Sequence, residues 1–215
     1  MRCVYSATLA VLSAIALGGA SADAADGTRS EGLYFGANAG IGFVDGQTLG
    51  HVNNVAVKVN YEDAAVFGVE AGYALSSGLR PLIEFNYMRM SGMQLSAGPY
   101  SVDFQGKTEA FSFLAGLAYD LDLGGPVTPY VGAALGITHI DAELDNVRFN
   151  NQSYAVGRGG DSSNFTWALD AGAMYRVSPT ISVGPSYRYL NVQNGNRILD
   201  DDRGHLLRIK ASVVF

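Results

Sequence analysis

The chain is short of cysteine, of charge and of long apolar runs. Only 16% of its 215 residues are charged, and Cys3 is its single cysteine. After the first two dozen residues, no stretch approaches the roughly 18 to 20 consecutive apolar residues that a transmembrane helix needs. The three lysines and the formal net charge of -6 argue against a nucleic-acid partner, which requires clustered Lys and Arg. These absences exclude a helical membrane protein and argue against a nucleic-acid binder.

Apolar and small residues are abundant instead. The hydrophobic set makes up 48% of the chain, with 27 glycines, 12 tyrosines and 10 phenylalanines. An average globular domain has about 7% glycine and about 25% charged residues, so the chain is rich in glycine and poor in charge. Its apolar content excludes disorder, and its length suits one domain.

The N-terminus has the pattern of a secretory signal peptide. Arg2 precedes an almost wholly apolar or small stretch over residues 4–17, and small residues follow it. We predict a signal peptide over residues 1–24, a short N-terminal segment over 25–31, and one domain over 32–215. Cleavage after Ala22 and an uncleaved membrane anchor are the alternatives. The exported protein would lack cysteine, and with it any disulfide or thiolate site.

From Leu33 onward, apolar residues alternate with small or polar ones, which places them on opposite faces of β-strands. In the first segment Leu33, Phe35 and Ile41 share one face, and Asn38 lies on the other. Pro185 interrupts the seventh segment, where we expect a bulge or local irregularity. The eight alternating segments cover roughly residues 33–43, 65–75, 83–87, 111–121, 130–138, 165–176, 181–189 and 207–215.

The connections between these segments alternate in length. Those after segments two, four and six are short, whereas polar connections follow the others, over roughly 44–63, 90–109, 140–163 and 192–204. All long connections would therefore emerge at one end, as in outer-membrane barrels. A soluble sandwich or lipocalin-like barrel needs no such alternation. We predict an all-β fold, an eight-stranded antiparallel up-and-down transmembrane β-barrel.

Aromatic residues cluster near both ends of the predicted outward rows, where membrane interfaces would lie. The predicted interface aromatics are Tyr73, Tyr119, Tyr175, Trp167, Tyr187 and Tyr189, and Phe215 ends the last segment.

The lumen of an eight-stranded barrel is narrow enough to be filled by side chains. Buried charges of both signs must pair to offset their desolvation, so we predict an ion-pair network that plugs the barrel. A gated pore or proton path is the alternative interpretation. The predicted network consists of Glu70, Glu84, Asp170, Arg176, Arg188, Arg208 and Lys210.

No motif predicts a catalytic, cofactor-binding or metal site. The three histidines, His51, His139 and His205, lie in or beside the long connections without metal-site spacing. The acidic run 200–202 favours a solvated loop tip over a divalent cation site. The glycine-rich segment 157–160 lacks the Lys-Ser/Thr ending of a phosphate loop.

The chain resembles the small outer-membrane β-barrel proteins of Gram-negative bacteria, a group that includes the membrane domain of outer membrane protein A and the opacity and surface-antigen proteins. The residues that carry the resemblance are the runs 130–136, 115–120 and 187–190 and the terminal Phe215. The resemblance implies export to the outer membrane, where lipids and lipopolysaccharide surround the barrel, and it makes Phe215 the signal read by the barrel-assembly machinery. Because the chain ends at the barrel, the peptidoglycan-binding role of outer membrane protein A does not carry over.

We therefore expect a monomeric, non-enzymatic outer-membrane protein without cofactors. Its expected role is structural or surface-exposed: envelope integrity, adhesion or surface-antigen display, with an extracellular or host ligand at four external loops. A small porin-like pore or hydrophobic-solute channel is the alternative. A lipid-modifying enzyme or protease is least favoured, because it needs a convergent nucleophile, base and orienting group.

Overall fold

The computed structural model describes residues 31–44, 47–52, 55–61, 63–97, 100–149, 152–193 and 202–215. Side chains are described over 31–44, 63–90, 107–143, 160–193 and 203–215. The predicted signal peptide and nearly all of the short segment after it lie outside these residues.

The described chain forms ten β-strands. They are β1 (Gly32–Val44), β2 (Gln47–Val52), β3 (Val55–Tyr61), β4 (Ala64–Ala74), β5 (Leu79–Ala97), β6 (Tyr100–Asp120), β7 (Val127–Phe149), β8 (Gln152–Arg176), β9 (Ile181–Val192) and β10 (Asp202–Val214). Among the described residues, no helix is long and apolar enough to cross a membrane.

Eight of these strands close into an antiparallel barrel, which confirms the predicted fold. The wall runs β1, β4, β5, β6, β7, β8, β9 and β10, and β10 pairs with β1 to close it. The closing pairs extend from Tyr34 opposite Val214 to Val44 opposite Gly204. Closure leaves no edge within the wall, so the backbone donors and acceptors of each strand find partners on both sides.

The alternation of the sequence sets the two faces of the wall. On β6 and β7, Phe113 and Ile137 are each 59% exposed on the outer surface, whereas Leu114 and Thr138 are 0% and 1% exposed inside. The outer surface is therefore apolar, and small or polar residues turn towards the lumen.

Three short connections lie at one end of the barrel, called here the short-turn end. They span residues 75–78, 121–126 and 177–180. Gly78 and Gly124 have φ of 86° and 68° there, a left-handed conformation that favours glycine. Phe215 lies at the same end, where its N–H donates to the Leu33 carbonyl at 2.8 Å.

The polar connections predicted for residues 90–109 and 140–163 are largely strand, which corrects the prediction. β5 and β6 remain paired up to Ala97 and Tyr100, and β7 and β8 up to Phe149 and Gln152. Backbone pairing continues above the apolar band, where both faces of a strand can meet water and no hydrophobic alternation is required.

The first predicted loop, residues 44–63, contains a hairpin that the alternation did not predict. β2 pairs with β3, and β3 pairs with the distal part of β5, from Val57 opposite Ala97 to Tyr61 opposite Met93. The prediction of eight strands therefore holds for the wall, and two further strands extend the sheet beyond it.

Each of three neighbouring ladders contains a register shift where the wall continues into its extension. The shifts fall between Ser91 and Met93 on β5, between Gln105 and Gly106 on β6, and between Leu144 and Asn146 on β7. They lie at about the same height, because Lys107 pairs with both Ser91 and Glu143.

Pro185 produces an interruption but no bulge. The β8–β9 ladder passes from Gly172 opposite Ser186 to Tyr175 opposite Val183 with the register unchanged. On its other side Pro185 pairs in register with Ile209. The missing proline N–H therefore interrupts one ladder locally without displacing the strand.

A charge at mid-height on the outer wall should destabilise the barrel. Leu135 lies midway between Val131, which pairs with Tyr119, and His139, which pairs with Phe111. We expect Leu135→Arg to lower the free energy of unfolding by about 2–4 kcal/mol in urea titrations of vesicle-reconstituted protein. Leu123→Arg, in a short turn and 72% exposed, is the control and should cost at most about 1 kcal/mol. Equal losses would contradict the assigned membrane face.

Candidate functional site

Six charged side chains meet in the lumen, and we call them the lumen charge cluster. The cluster contains three carboxylates and three cations, each at most 9% exposed. Its members are Glu70 on β4, Glu84 on β5, Asp170 on β8, Arg188 on β9, and Arg208 and Lys210 on β10. Each lies on the inward face that the strand alternation assigns to it.

Asp170 is the shared acceptor at the centre of this cluster. Its Oδ2 accepts from Arg188 Nε at 2.7 Å and from Arg208 Nη2 at 2.6 Å. Arg188 Nη2 also lies 2.5 Å from the same oxygen. One carboxylate therefore neutralises part of the charge of two buried guanidiniums.

Arg188 continues across the lumen to Glu84. Its Nη1 lies 2.8 Å from Glu84 Oε1, and its Nη2 donates to Oε2 at 2.8 Å. This bidentate geometry is the strong form of an arginine–carboxylate pair. Because β9 and β5 are not neighbours in the wall, the pair bridges the interior.

Lys210 and Glu70 form a second pair, at 2.7 Å, across the intervening strand β1. Gly36 lies between them on β1, and a Cβ at this position would approach Glu70 Cγ to 2.8 Å. The glycine therefore leaves the space that the carboxylate side chain occupies.

A further ion pair, missed by the sequence analysis, lies towards the short-turn end. Arg80 Nη2 is 2.9 Å from Asp120 Oδ1, and the Arg80 guanidinium carbon lies 5.2 and 5.4 Å from the ring centroids of Tyr34 and Tyr130. Arg80 and Glu84 are four positions apart on β5, so both face the lumen. A predicted third segment that began earlier would have included Arg80.

Arg176 does not join the lumen charge cluster. It is half-buried on β8 near the short-turn end, and it lines a separate cavity there with Arg80 and Asp120. The structure thus brings together six of the seven residues of the predicted network.

Cavities lie along the described part of the lumen, at its centre and towards both ends. The central one, among Glu70, Glu84, Asp170 and Lys210, measures about 10 Å³, near the lower limit for one water molecule. The cavity at the short-turn end measures about 80 Å³, and the one at the opposite end about 170 Å³. The lumen charge cluster therefore separates two end chambers.

The larger chamber has a mostly apolar wall. Met88, Met90, Ile140, Leu190 and Val192 line it. Below it a chain of hydroxyls crosses three strands: Thr166 donates to Thr138 at 2.7 Å, and Thr138 lies 2.8 Å from Ser112 Oγ. This end of the lumen is more apolar than the charged centre.

The predicted interface aromatics lie on the outer surface at the two ends of the barrel. Tyr73, Tyr119 and Tyr175 are 40%, 47% and 53% exposed. At the other end the ring centroids of Trp167 and Tyr189 are 5.4 Å apart. Tyr187, 43% exposed, belongs to the same end. Their role at a membrane interface stays a prediction.

The histidines whose side chains are described contact neighbouring strands. Tyr187 Oη lies 2.6 Å from His205 Nδ1, and His139 Nδ1 lies 3.0 Å from Ser163 Oγ. Within the described residues, no group of three His, Cys, Asp or Glu side chains could hold a metal ion. The side chains of His51, of Asp200, Asp201 and Asp202, and of residues 157–159 lie outside the described ones.

A sequence model of the outer membrane protein beta-barrel domain matches residues 12–215. The chain belongs to this family. It is an outer-membrane β-barrel protein, and the family and the closed wall agree on this point.

Solved outer-membrane barrels share the fold. OprG of Pseudomonas aeruginosa is 10% identical with a TM-score of 0.59, covering 88% of this chain and 98% of its own. Neisserial surface protein A is 20% identical with a TM-score of 0.55, covering 85% and 97%. Ail, the attachment invasion locus protein of Yersinia pestis, is 17% identical with a TM-score of 0.51, covering 86% and 99%.

Curated relatives match part of the chain. An uncharacterised protein of Brucella abortus is 26% identical over 160 residues, 64% of this chain and 56% of its own. Outer membrane protein PagN of Salmonella typhimurium is 26% identical over 99 residues, 43% of this chain and 38% of its own. The chain thus spans about half the length, or less, of the curated relatives it matches.

Replacement of Asp170, the shared acceptor, should lower the stability of the barrel. Asp170→Asn would leave Arg188 and Arg208 buried with less compensating charge, so we expect the free energy of unfolding to fall by about 3–5 kcal/mol. Urea unfolding of the refolded protein, followed by tryptophan fluorescence, measures the change. Asp161→Asn, an exposed position on the same strand, is the matched control and should change stability by at most about 0.5 kcal/mol. Similar losses in both variants would contradict the role of Asp170.

Proposed function

We propose that this outer-membrane protein is a non-conducting, non-enzymatic barrel that supports the envelope and presents extracellular strands to an outside partner, in adhesion or as a surface antigen. The observation that carries the proposal is the lumen charge cluster, which fills the barrel at mid-height. A barrel closed in this way acts through its outer surface and its ends.

Energetics support the closed lumen. A permeating ion would have to displace Arg188 from both Glu84 and Asp170. Breaking a buried ion pair typically costs about 3–5 kcal/mol, because it leaves an uncompensated charge. The central space among these side chains measures about 10 Å³, near the lower limit for a single water molecule.

The strand extensions supply a binding surface beyond the membrane. The β8–β9 ladder begins with Thr166 opposite Val192, so among the described strands the distal part of β8 pairs with β7 alone. An edge strand presents unpaired N–H and C=O groups that can pair with an extended polypeptide. We infer that an extracellular protein partner binds this edge by adding a strand.

A pore or hydrophobic-solute channel is the second candidate, and the apolar chamber of about 170 Å³ favours it. An apolar cavity of roughly 150 Å³ can hold a molecule of benzene size. Here the hydroxyl chain through Thr138 borders the chamber, and the lumen charge cluster lies beyond it, so an entering solute would meet a polar and then a charged barrier.

Conductance in planar bilayers separates the two candidates. We expect no stable single-channel steps from the wild-type protein. A Glu84→Ala, Arg188→Ala double variant removes one complete ion pair and should give small steps, because water can then cross the centre. An Arg89→Ala, Glu109→Ala double variant is the control, since that pair is partly exposed outside the lumen. Stable, sizeable steps from the wild type would overturn the plug and favour the pore.

A shortened variant separates the envelope role from the binding role. Glu143 pairs with Gly159, so an Asn-Gly turn placed between them would remove the β7–β8 extension and leave the wall in register. In a gene-deletion strain sensitive to detergent, both the wild type and the shortened variant should restore resistance. Only the wild type should bind immobilised matrix or serum proteins, with at least a tenfold difference.

Unchanged binding by the shortened variant would contradict the role of the extension. A deletion strain without detergent sensitivity would contradict the envelope role. Lipid hydrolysis by the purified wild-type protein would overturn the non-enzymatic assignment.

A further inference from the structure

The chamber at the short-turn end contains cationic and hydroxyl donors that the proposed function does not use. It measures about 80 Å³, roughly the space of two to three water molecules. In an outer-membrane barrel the short turns face the periplasm. We propose that this chamber is a periplasmic binding site for one small oxyanion, a carboxylate or a phosphate group.

Arg176 supplies a cation without an internal partner. Among the described residues it forms no ion pair, although it lines the chamber beside the Arg80–Asp120 pair. The charged groups that line the chamber are thus two guanidiniums and one carboxylate. Their net charge of one positive unit favours an anion.

Two further donors, on residues that line this chamber, have no hydrogen-bond partner within the part of the chain that the structure describes. The Tyr34 hydroxyl and Arg80 Nε are both unsatisfied, and their residues are 1% and 8% exposed. A buried donor left unpaired is costly, so a site that supplies an acceptor oxygen is favoured. Both residues line the same chamber.

The Arg80 guanidinium is fixed in place by the groups around it. The rings of Tyr34 and Tyr130 lie within 5.2 and 5.4 Å of its central carbon, and Asp120 holds Nη2 at 2.9 Å. These contacts hold the guanidinium in one orientation, so binding costs little further ordering. Ser182 and Ser212 add hydroxyls to the chamber lining.

The chemistry of recognition is shared by two sources, a free anion and the carboxyl end of a periplasmic peptide. Guanidinium groups bind both carboxylate and phosphate oxygens. A chamber of this size admits one such group and excludes a bulky headgroup.

Nuclear magnetic resonance of the full chain in lipid nanodiscs tests the proposal. The Nε–H signals of Arg80 and Arg176 should shift and saturate on titration with sodium phosphate or sodium acetate, but not with sodium chloride at equal ionic strength. A second titration compares tri-alanine that has a free carboxyl end with tri-alanine that has an amidated end. Saturation by the free peptide but not by the amide identifies a peptide end as an accepted ligand, whereas saturation by the small anions alone identifies a free anion.

Two variants locate the site. Arg176→Gln should weaken binding at least tenfold, and Tyr34→Phe by about tenfold, because each removes a donor to a charged ligand. Arg89→Gln, at the opposite end on the outer surface, is the control and should leave binding unchanged. Linear shifts that do not saturate, or equal binding in all three variants, would overturn the site. Folding of each variant is checked by its gel migration before and after boiling.

Discussion

The structure depends on one constraint: the hydrocarbon core of a membrane offers no hydrogen-bond partners, so the backbone must supply its own. Within hydrocarbon, an unpaired N–H or C=O costs several kcal/mol, so a sheet must close on itself. Here closure is the pairing of β10 with β1 over eleven residues, from Tyr34 to Val44. Once the sheet is closed, each strand has one lipid face and one lumen face, and the alternation of apolar and small residues follows.

The closed sheet also creates the electrostatic problem in its interior. Eight strands enclose too little space for bulk water, so each charge placed there needs a partner of opposite sign. Three carboxylates and three cations satisfy this requirement around Asp170, Glu84 and Glu70. The ion pairs that offset desolvation also occupy the middle of the lumen. Binding, as proposed above, therefore takes place at the two ends of the barrel.

Much of the fold could be predicted because the membrane imposes a strict pattern on the sequence. The eight-stranded wall and the lipid-facing rows followed from period-two alternation, as Phe113 and Leu114 illustrate with exposed fractions of 59% and 0%. β2, β3 and the distal parts of β5 to β8 were not predicted as strands, because above the membrane neither face must be apolar.

The candidate site was predictable in composition but not in pairing. Parity along each strand placed Glu84 and Arg188 inside, yet their contact crosses the lumen between strands that are not neighbours. Such contacts depend on the stagger of the whole barrel. Arg80 was not predicted, because the third alternating segment of the sequence begins at Ile83. Arg176 was grouped with the network by parity alone, although it lies too near the short-turn end to reach Asp170.

The three register shifts above the wall have a consequence for how this protein tolerates change. In a continuous ladder, adding one residue would exchange the lipid and lumen faces of every residue beyond it. At Ser91, Gln105 and Leu144 the strand register already shifts. The pairing of the sheet beyond these positions is therefore out of register with the pairing of the wall. Odd-numbered insertions and deletions beyond them can therefore reshape the exterior while the membrane-embedded part keeps its inside and its outside.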